Sequence, residues 1–315
     1  MQNGIADAVI EEVKKAVVGK DDCLRLVMMA LLSGGHILIE DIPGVGKTTM
    51  ALAFSKACSM QQRRVQFTPD VLPADITGFS IYRKETGSFV YQPGAVMCNL
   101  FLADEINRTS PKTQSALLEV MEEGNVTVDG VTRKVPEPFL VIATQNPVGS
   151  AGTQMLPESQ LDRFMICISM GYPDIRQEIS ILKERSHGNP LDQIRPAAGP
   201  EQLLLMQREV EEIFIHDAVY DYIARLVKAT RDHEMLELGL SPRGTLAVAR
   251  MAKACAYLNG RDYVSPGDVE EIFLPVAIHR AKISSKARIG RVPLMQILGE
   301  LLERVAKPTP KRRGL

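Results

Sequence analysis

The sequence has no tryptophan, only 5% aromatic residues, five histidines and five cysteines. The histidines are scattered, with no H-E-x-x-H pair and no Cys/His cluster, which leaves no case for a metalloenzyme beyond Mg²⁺. Cys23, Cys58, Cys98, Cys167 and Cys255 are odd in number, irregularly spaced and without a C-x-x-C, so a disulfide framework is excluded and reduced, mostly buried thiols are expected. No charge excess exists either. With 37 basic against 38 acidic side chains, the formal net charge is −1, which provides neither a global field for nucleic acid nor the self-repulsion of a disordered chain. Long apolar runs are also missing. The longest, Leu26 to Leu32, falls far below the roughly 20 residues a membrane-spanning helix needs. Asp7, Glu11 and Glu12 stand where a signal peptide would carry basic and then apolar residues, so a soluble, cytoplasmic protein with no membrane span is expected.

What is present fits a globular protein of two domains, since 315 residues with 45% hydrophobic content can build two cores. Residues 5–32 have helical periodicity broken at "VVGK" (Val17–Lys20). Five short apolar runs follow: "HILIE", "RVQFT" (Arg64–Thr68), "NLFLADE" (Asn99–Glu105), "PFLVIATQN" (Pro138–Asn146) and "RFMICISM" (Arg163–Met170). Helical stretches such as "KTTMALAFSKACSM" and "TSPKTQSALLEVMEEG" separate most of them, so a parallel sheet covered on both faces is expected. Two segments read instead as hairpins: "FSIYRKETGSFVYQ", and "NVTVDGVTRKV" with its Asp129-Gly130 turn. Strand signals stop at about Asp174, and helical patterns then run to about Val305. The expected layout is therefore an α/β core over 1–172, a smaller all-α domain over 173–305 with a Pro-containing linker near 188–200, and a basic tail over 306–315.

The chemistry is concentrated in "ILIEDIPGVGKTTMALAF" (Ile37–Phe54). A phosphate-binding loop needs inward backbone N–H groups, a lysine charge and a hydroxyl for Mg²⁺. Gly44 and Gly46 supply the backbone freedom, Lys47 the charge and Thr48 the hydroxyl at the start of a helix, with Pro43, Val45 and Thr49 completing the string. The G-x-x-x-x-G-K-[ST] pattern wants glycine at position 41, where the chain has Asp41. That position is the outer end of the bend, where glycine is convenient rather than chemically required. The segment reads as a P-loop despite Asp41.

"LFLADEINR" ends a central strand in two carboxylates. Asp104 can serve the Mg²⁺ shell and Glu105 can polarise an attacking water. The next strand ends in "ATQNP", where Asn146 either holds water or a γ-phosphate oxygen or simply forms an Asn-Pro turn. In "PESQLDRF", Arg163 is either a salt-bridged helix residue or a charge presented to a neighbour's phosphate, and spacing does not choose between the two.

In order and spacing, "IEDIPGVGKTT", "LADEINRTSPKTQSALLEVMEEG", "ATQNP", "PESQLDRF" and "GLSPRG" resemble the blocks of the MoxR family of AAA+ ATPases over nearly the whole chain. The resemblance implies an αβα core with a parallel five-stranded sheet and hairpin inserts, followed by a helical lid. It implies ATP and Mg²⁺ as cofactors and a homo-oligomeric, hexameric ring. Asn146 would be sensor 1, Arg163 an arginine finger acting in trans, and Arg243 of "SPRG" sensor 2. Val18 and Gly19 would pack near the adenine, the first hairpin would be the helix-2 insert and the second the pre-sensor-1 hairpin. An acidic residue at the position of Asp41 looks usual for the family.

The function implied is a chaperone-like ring motor that remodels, assembles or activates other proteins, for example in metal-cofactor insertion, often with a partner bearing a von Willebrand factor A domain. Two alternatives stand against this reading. A DNA-acting motor would need basic surface with interleaved aromatics, and only "SSKARIGR" (Ser284–Arg291) and the tail are basic. A nucleotide-gated scaffold would not need Glu105, Asn146 and Arg163.

Overall fold

The computed structural model describes residues 3–42, 44–145, 156–186 and 188–308. In chain order its strands are β1 (Ile37–Glu40), β2 (Gln62–Gln66), β3 (Gly78–Arg83), β4 (Ser88–Pro93), β5 (Leu100–Asp104), β6 (Asn125–Val128), β7 (Val131–Lys134), β8 (Leu140–Gln145), β9 (Ile166–Ile168), β10 (Leu236–Leu238) and β11 (Lys282–Ile283). The helices are α1 (Asn3–Lys14), α2 (Asp21–Leu32), α3 (Lys47–Ala57), α4 (Pro73–Thr77), α5 (Pro111–Glu123), α6 (Glu158–Leu161), α7 (Ile175–Ser186), α8 (Pro200–Glu211), α9 (Asp217–Asp232), α10 (Pro242–Leu258), α11 (Pro266–Ala277), α12 (Ser285–Ile289) and α13 (Leu294–Arg304).

The five expected core strands form one parallel sheet in the order β2-β5-β8-β1-β9. Side chains alternate faces along a strand, and the sheet buries both. Ile37, Ile39, Leu100, Leu102, Leu140 and Ile142 join α1, α2 and α3 in one cluster that continues into α8 to α11. Leu38, Phe101, Ala103, Val141 and Ala143 point the other way, onto Leu117, Leu118 and Met121 of α5. Local chemistry sets the helix ends. Ser110 accepts the Thr113 N–H at the start of α5, Pro111 follows it, and Gly124 at φ +66° stops the helix.

Both hairpins form, β3 with β4 and β6 with β7. Asp129 and Gly130 both have positive φ, +52° and +74°, as a two-residue type I′ turn requires. The hairpins touch, since Arg133 lies 4.0 Å above the Tyr91 ring. The helical region also holds a two-stranded ribbon, β10 with β11, that hydropathy does not reveal, because strands of three and two residues are too short to show alternation. The run "RFMICISM" yields only Ile166–Ile168 as strand, since the backbone of Arg163 to Met165 is taken up by a turn and by side chains of the helical region.

Asp41 ties the sheet together at the loop. Its carboxylate is buried and its Oδ2 accepts the N–H groups of Met170 (2.6 Å) and Gly171 (2.8 Å) and the Ser169 hydroxyl (3.2 Å). Its Oδ1 accepts the Ile42 N–H at 2.9 Å, and its carbonyl accepts from Lys47 Nζ at 2.8 Å. Thus the residue that departs from the glycine pattern anchors the glycine-rich loop to the segment leaving β9. Asp41→Gly, although it restores the pattern, is expected to cost about 3 kcal/mol because buried donors lose a charged acceptor. Thermal unfolding checks this, with a melting temperature lower by roughly 5–10 °C expected and an unchanged or raised value counting against the anchor.

His36, just before β1, is buried. Its Nδ1 accepts the Val141 N–H at 3.1 Å, so Nε2 carries the proton and donates to the Met121 carbonyl at 2.9 Å. Burial pushes its pKa down to about 4, and burial also holds His279 well below the usual histidine range. An unfolded imidazole takes up its proton near pH 6.5 while these do not, so their contribution is complete above that pH and is lost as pH falls. Urea unfolding is expected to show a stability loss of roughly 2 kcal/mol from His36 between pH 6.5 and pH 5. A flat profile there would argue against a neutral buried imidazole.

Candidate functional site

The carboxyl ends of β1, β5 and β8 finish side by side, where open parallel sheets bind ligands. From β1 the chain bends through Gly44 (φ +88°) and Gly46 (φ +95°), conformations that side chains resist, and α3 starts at Lys47. Lys47 is 8% exposed. Burial lowers its pKa, while the negative charges of Asp41, Asp104 and Glu105 act against that shift. Beside the loop a cavity of about 200 Å³ is lined by Val17, Val18, Gly44, Val45, Gly46 and Thr49, with Met170 and Ile181 closing it. Thr48 is partly buried on the first turn of α3. Gly19 (φ +68°) lies under Gln177 of α7, where an added Cβ would come within 2.3 Å of that side chain. Pro43 and Asn146 lie outside the described residues.

At the tip of β5, Asp104 Oδ1 accepts the Thr144 hydroxyl (2.7 Å) and Oδ2 accepts from Arg64 (2.6 Å). Glu105 has left-handed backbone, φ 56° and ψ 49°, an unfavourable state for this residue type that the Thr144 hydroxyl supports by accepting its N–H at 2.9 Å. Glu105 Oε2 accepts from Gln66 Nε2 (2.8 Å) and Arg108 (2.7 Å). Sequence reasoning missed Arg64, Gln66, Arg108 and Thr144. The available signal was Arg64 and Gln66 at alternate positions of a strand, hence on one face beside the acidic strand end.

Among the described residues no group of three or more His, Cys, Asp or Glu side chains could hold a metal. The set present, one hydroxyl at Thr48 and one carboxylate at Asp104, fits an ion that takes its other ligands from phosphate and water, as Mg²⁺ does.

The two candidate arginines lie elsewhere, together. Glu122 near the end of α5 accepts from Arg163 on Oε2 (3.0 Å) and from Arg243 on Oε1, and Arg163 also donates to the Leu118 carbonyl at 2.8 Å. They line a second cavity of about 360 Å³ with Arg250, Leu246 and Asp162. Neither arginine lines the cavity at the loop. The basic segment Ser284–Arg291 is charge-neutralised in part: Lys286 pairs with Glu234 (2.7 Å) and Arg288 with Glu237 (3.1 Å). No described helix is long and apolar enough to cross a membrane.

Residues 36–166 match the model of the ATPase family associated with various cellular activities (AAA), and residues 228–299 match the AAA lid domain. The chain is 45% identical to the uncharacterized protein YeaC of Bacillus subtilis, over 96% of this chain and 94% of that protein. It is 40% identical to the chaperone MoxR1 of Mycobacterium tuberculosis, over 95% of this chain and 81% of that one. The fold superposes on a crystal structure from Cytophaga hutchinsonii, described as a proposed ATPase, with a TM-score of 0.91, 36% identity and coverage of 98% of this chain and 96% of that one. A glycine-rich loop at the tips of a parallel sheet, an AAA core followed by its lid and relatives that span the chain together show that this protein belongs to the MoxR family of AAA+ ATPases.

Proposed function

We propose that the protein hydrolyses ATP with Mg²⁺ in a hexameric ring and uses the energy to remodel, assemble or activate a client protein. The observation that carries this reading is the separation of the phosphate loop from the Arg163–Arg243 pair within one subunit. A site whose arginine lies on another face is completed by a neighbour, which is what a ring supplies.

In this reading Gly44, Val45 and Gly46 turn backbone N–H groups toward the phosphates, and Lys47, already among carboxylates, carries the compensating charge. Val18 contacts the base in the cavity beside the loop, with Gly19 behind it. Thr48 and Asp104 would hold Mg²⁺, which when bound neutralises charge on the phosphate oxygens. Glu105 takes the proton of the attacking water. Its hydrogen bonds to Gln66 and Arg108 set where that carboxylate sits, and the Thr144 hydroxyl fixes the backbone beneath it. Asn146, outside the described residues, is assigned the orienting of that water on the family resemblance alone. Arg163 and Arg243 leave Glu122 for the neighbour's γ-phosphate, so both act in trans. The client class, a protein with a von Willebrand factor A domain or one maturing a metal cofactor, rests on the family and on the chaperone named among the relatives.

Lys47→Ala is expected to abolish ATP binding, measured by titration with a fluorescent nucleotide, and near-normal affinity would remove the loop from the reading. Glu105→Gln is expected to bind ATP and turn it over slowly, and this trapped form should retain its client in a pull-down. Wild-type turnover in that variant would move the base elsewhere. Arg163→Ala is expected to keep ATP affinity and to lose about 10³-fold or more in turnover, the range seen for such fingers. Mixing it with Lys47→Ala should restore part of the activity, because mixed rings contain an intact loop facing an intact arginine. Full activity at high dilution, or no recovery in well-mixed rings, would count against action in trans.

A further inference from the structure

Arg280, just past the end of α11, is a buried charge that no nucleotide site accounts for. It is 6% exposed, and all three guanidinium nitrogens turn toward the segment that carries Arg163. Nε donates to Asp162 Oδ1 at 2.8 Å, Nη1 to the Met165 carbonyl at 3.0 Å, and Nη2 to the carbonyls of Phe164 and Asp162. Nη1 also reaches the Val276 carbonyl of α11 at 2.6 Å. Next to it, His279 Nε2 bonds the Phe164 carbonyl at 3.0 Å. From the start of α10, the Ser241 hydroxyl donates to the second oxygen of Asp162 at 2.7 Å, while the same oxygen atom of Ser241 caps the helix by accepting the Gly244 N–H.

Every neighbour of Arg163 from Asp162 to Met165 is therefore gripped by the helical region, and Arg163 is carried between them. The stem of Arg280 lies against Gly244, where an added Cβ would stand 3.0 Å from its Cδ, which explains the glycine of "SPRG". A buried ion pair is weak evidence for stability, because desolvation offsets most of its attraction. What a planar fork with several directional donors supplies is fixed geometry.

We propose that Arg280 is a positioning residue for Arg163: it locks the finger-bearing turn to the helical lid of the same subunit, so the arginine presented to a neighbour follows the lid that carries it. This rests on Arg163 acting in trans, which the mixture of Arg163→Ala with Lys47→Ala tests separately.

The test is Arg280→Lys, which keeps the charge and loses the fork, in the full chain with ATP and Mg²⁺. The expected result is an unchanged KM for ATP with kcat lowered about 10²-fold, the cost of a catalytic group displaced by about 1 Å. Mixed with Lys47→Ala, the variant should regain activity, since its own loop is intact and its partner offers a well-placed arginine. Mixed with Arg163→Ala it should regain none. Unchanged kcat, or a loss of ATP binding that Lys47→Ala does not rescue, overturns the proposal. So does recovery with Arg163→Ala. If the mixture of Arg163→Ala with Lys47→Ala itself fails, the trans reading falls first. Should Arg280→Lys not fold, Ser241→Ala, which removes the hydrogen bond to Asp162 together with the cap on Gly244, is read by the same mixtures, and no kcat change there overturns the proposal.

Discussion

The register of β5, β8 and β1 is the constraint on which the site depends. Ladder hydrogen bonds set Ala103 opposite Ala143 and Ile39 opposite Thr144, so the loop, the two carboxylates and the Thr144 hydroxyl reach one edge together. The alternation of faces leaves no slack. A one-residue slip would turn Leu102 and Ile142 out of one core and Phe101 and Val141 out of the other, so the buried area on both faces holds the register. The strained backbone of Glu105 persists on that support, since its N–H is met by a hydroxyl from the neighbouring strand.

Asp41 extends the same edge sideways. A buried carboxylate needs several donors, and the two backbone N–H groups and one hydroxyl after β9 supply them. Because that segment leads to α7, and Met170 and Ile181 line the cavity beside the loop, the glycine-rich loop and the exit toward the helical region are one hydrogen-bonded unit. Lys20 strengthens it by donating to the Gly171 and Tyr172 carbonyls.

On the other side of the sheet order, Glu122 holds Arg163 and Arg243 on one carboxylate. Two guanidinium groups this close repel unless an anion lies between them, and in the single subunit Glu122 is that anion. A pair so arranged is suited to exchange one anionic partner for another. The isolated subunit is charge-satisfied, and in the ring proposed above assembly would offer a competing anion.

The glycine-rich bend before α3, the acidic end of β5 and both hairpin turns were legible in the sequence because each depends on residues adjacent in the chain. Gly44, Gly46 and Gly130 are needed for backbone angles, and short apolar runs for buried strands. Two short strands, β10 and β11, were not legible, since five residues carry no period. Nor was the company each site residue keeps. Arg64 meets Asp104 at a sequence separation of 40 and Gln66 meets Glu105 at 39, while Glu122 meets Arg243 at 121 and Arg280 meets Asp162 at 118. The sequence by itself determined which groups could bind a phosphate and polarise a water, because those capacities belong to side-chain types and short-range backbone geometry. Only the tertiary structure decided that Asp41 is an anchor and that Arg163 and Arg243 share a partner away from the loop. Contacts between distant segments depend on how the elements pack, and packing is a property of the whole core rather than of any motif.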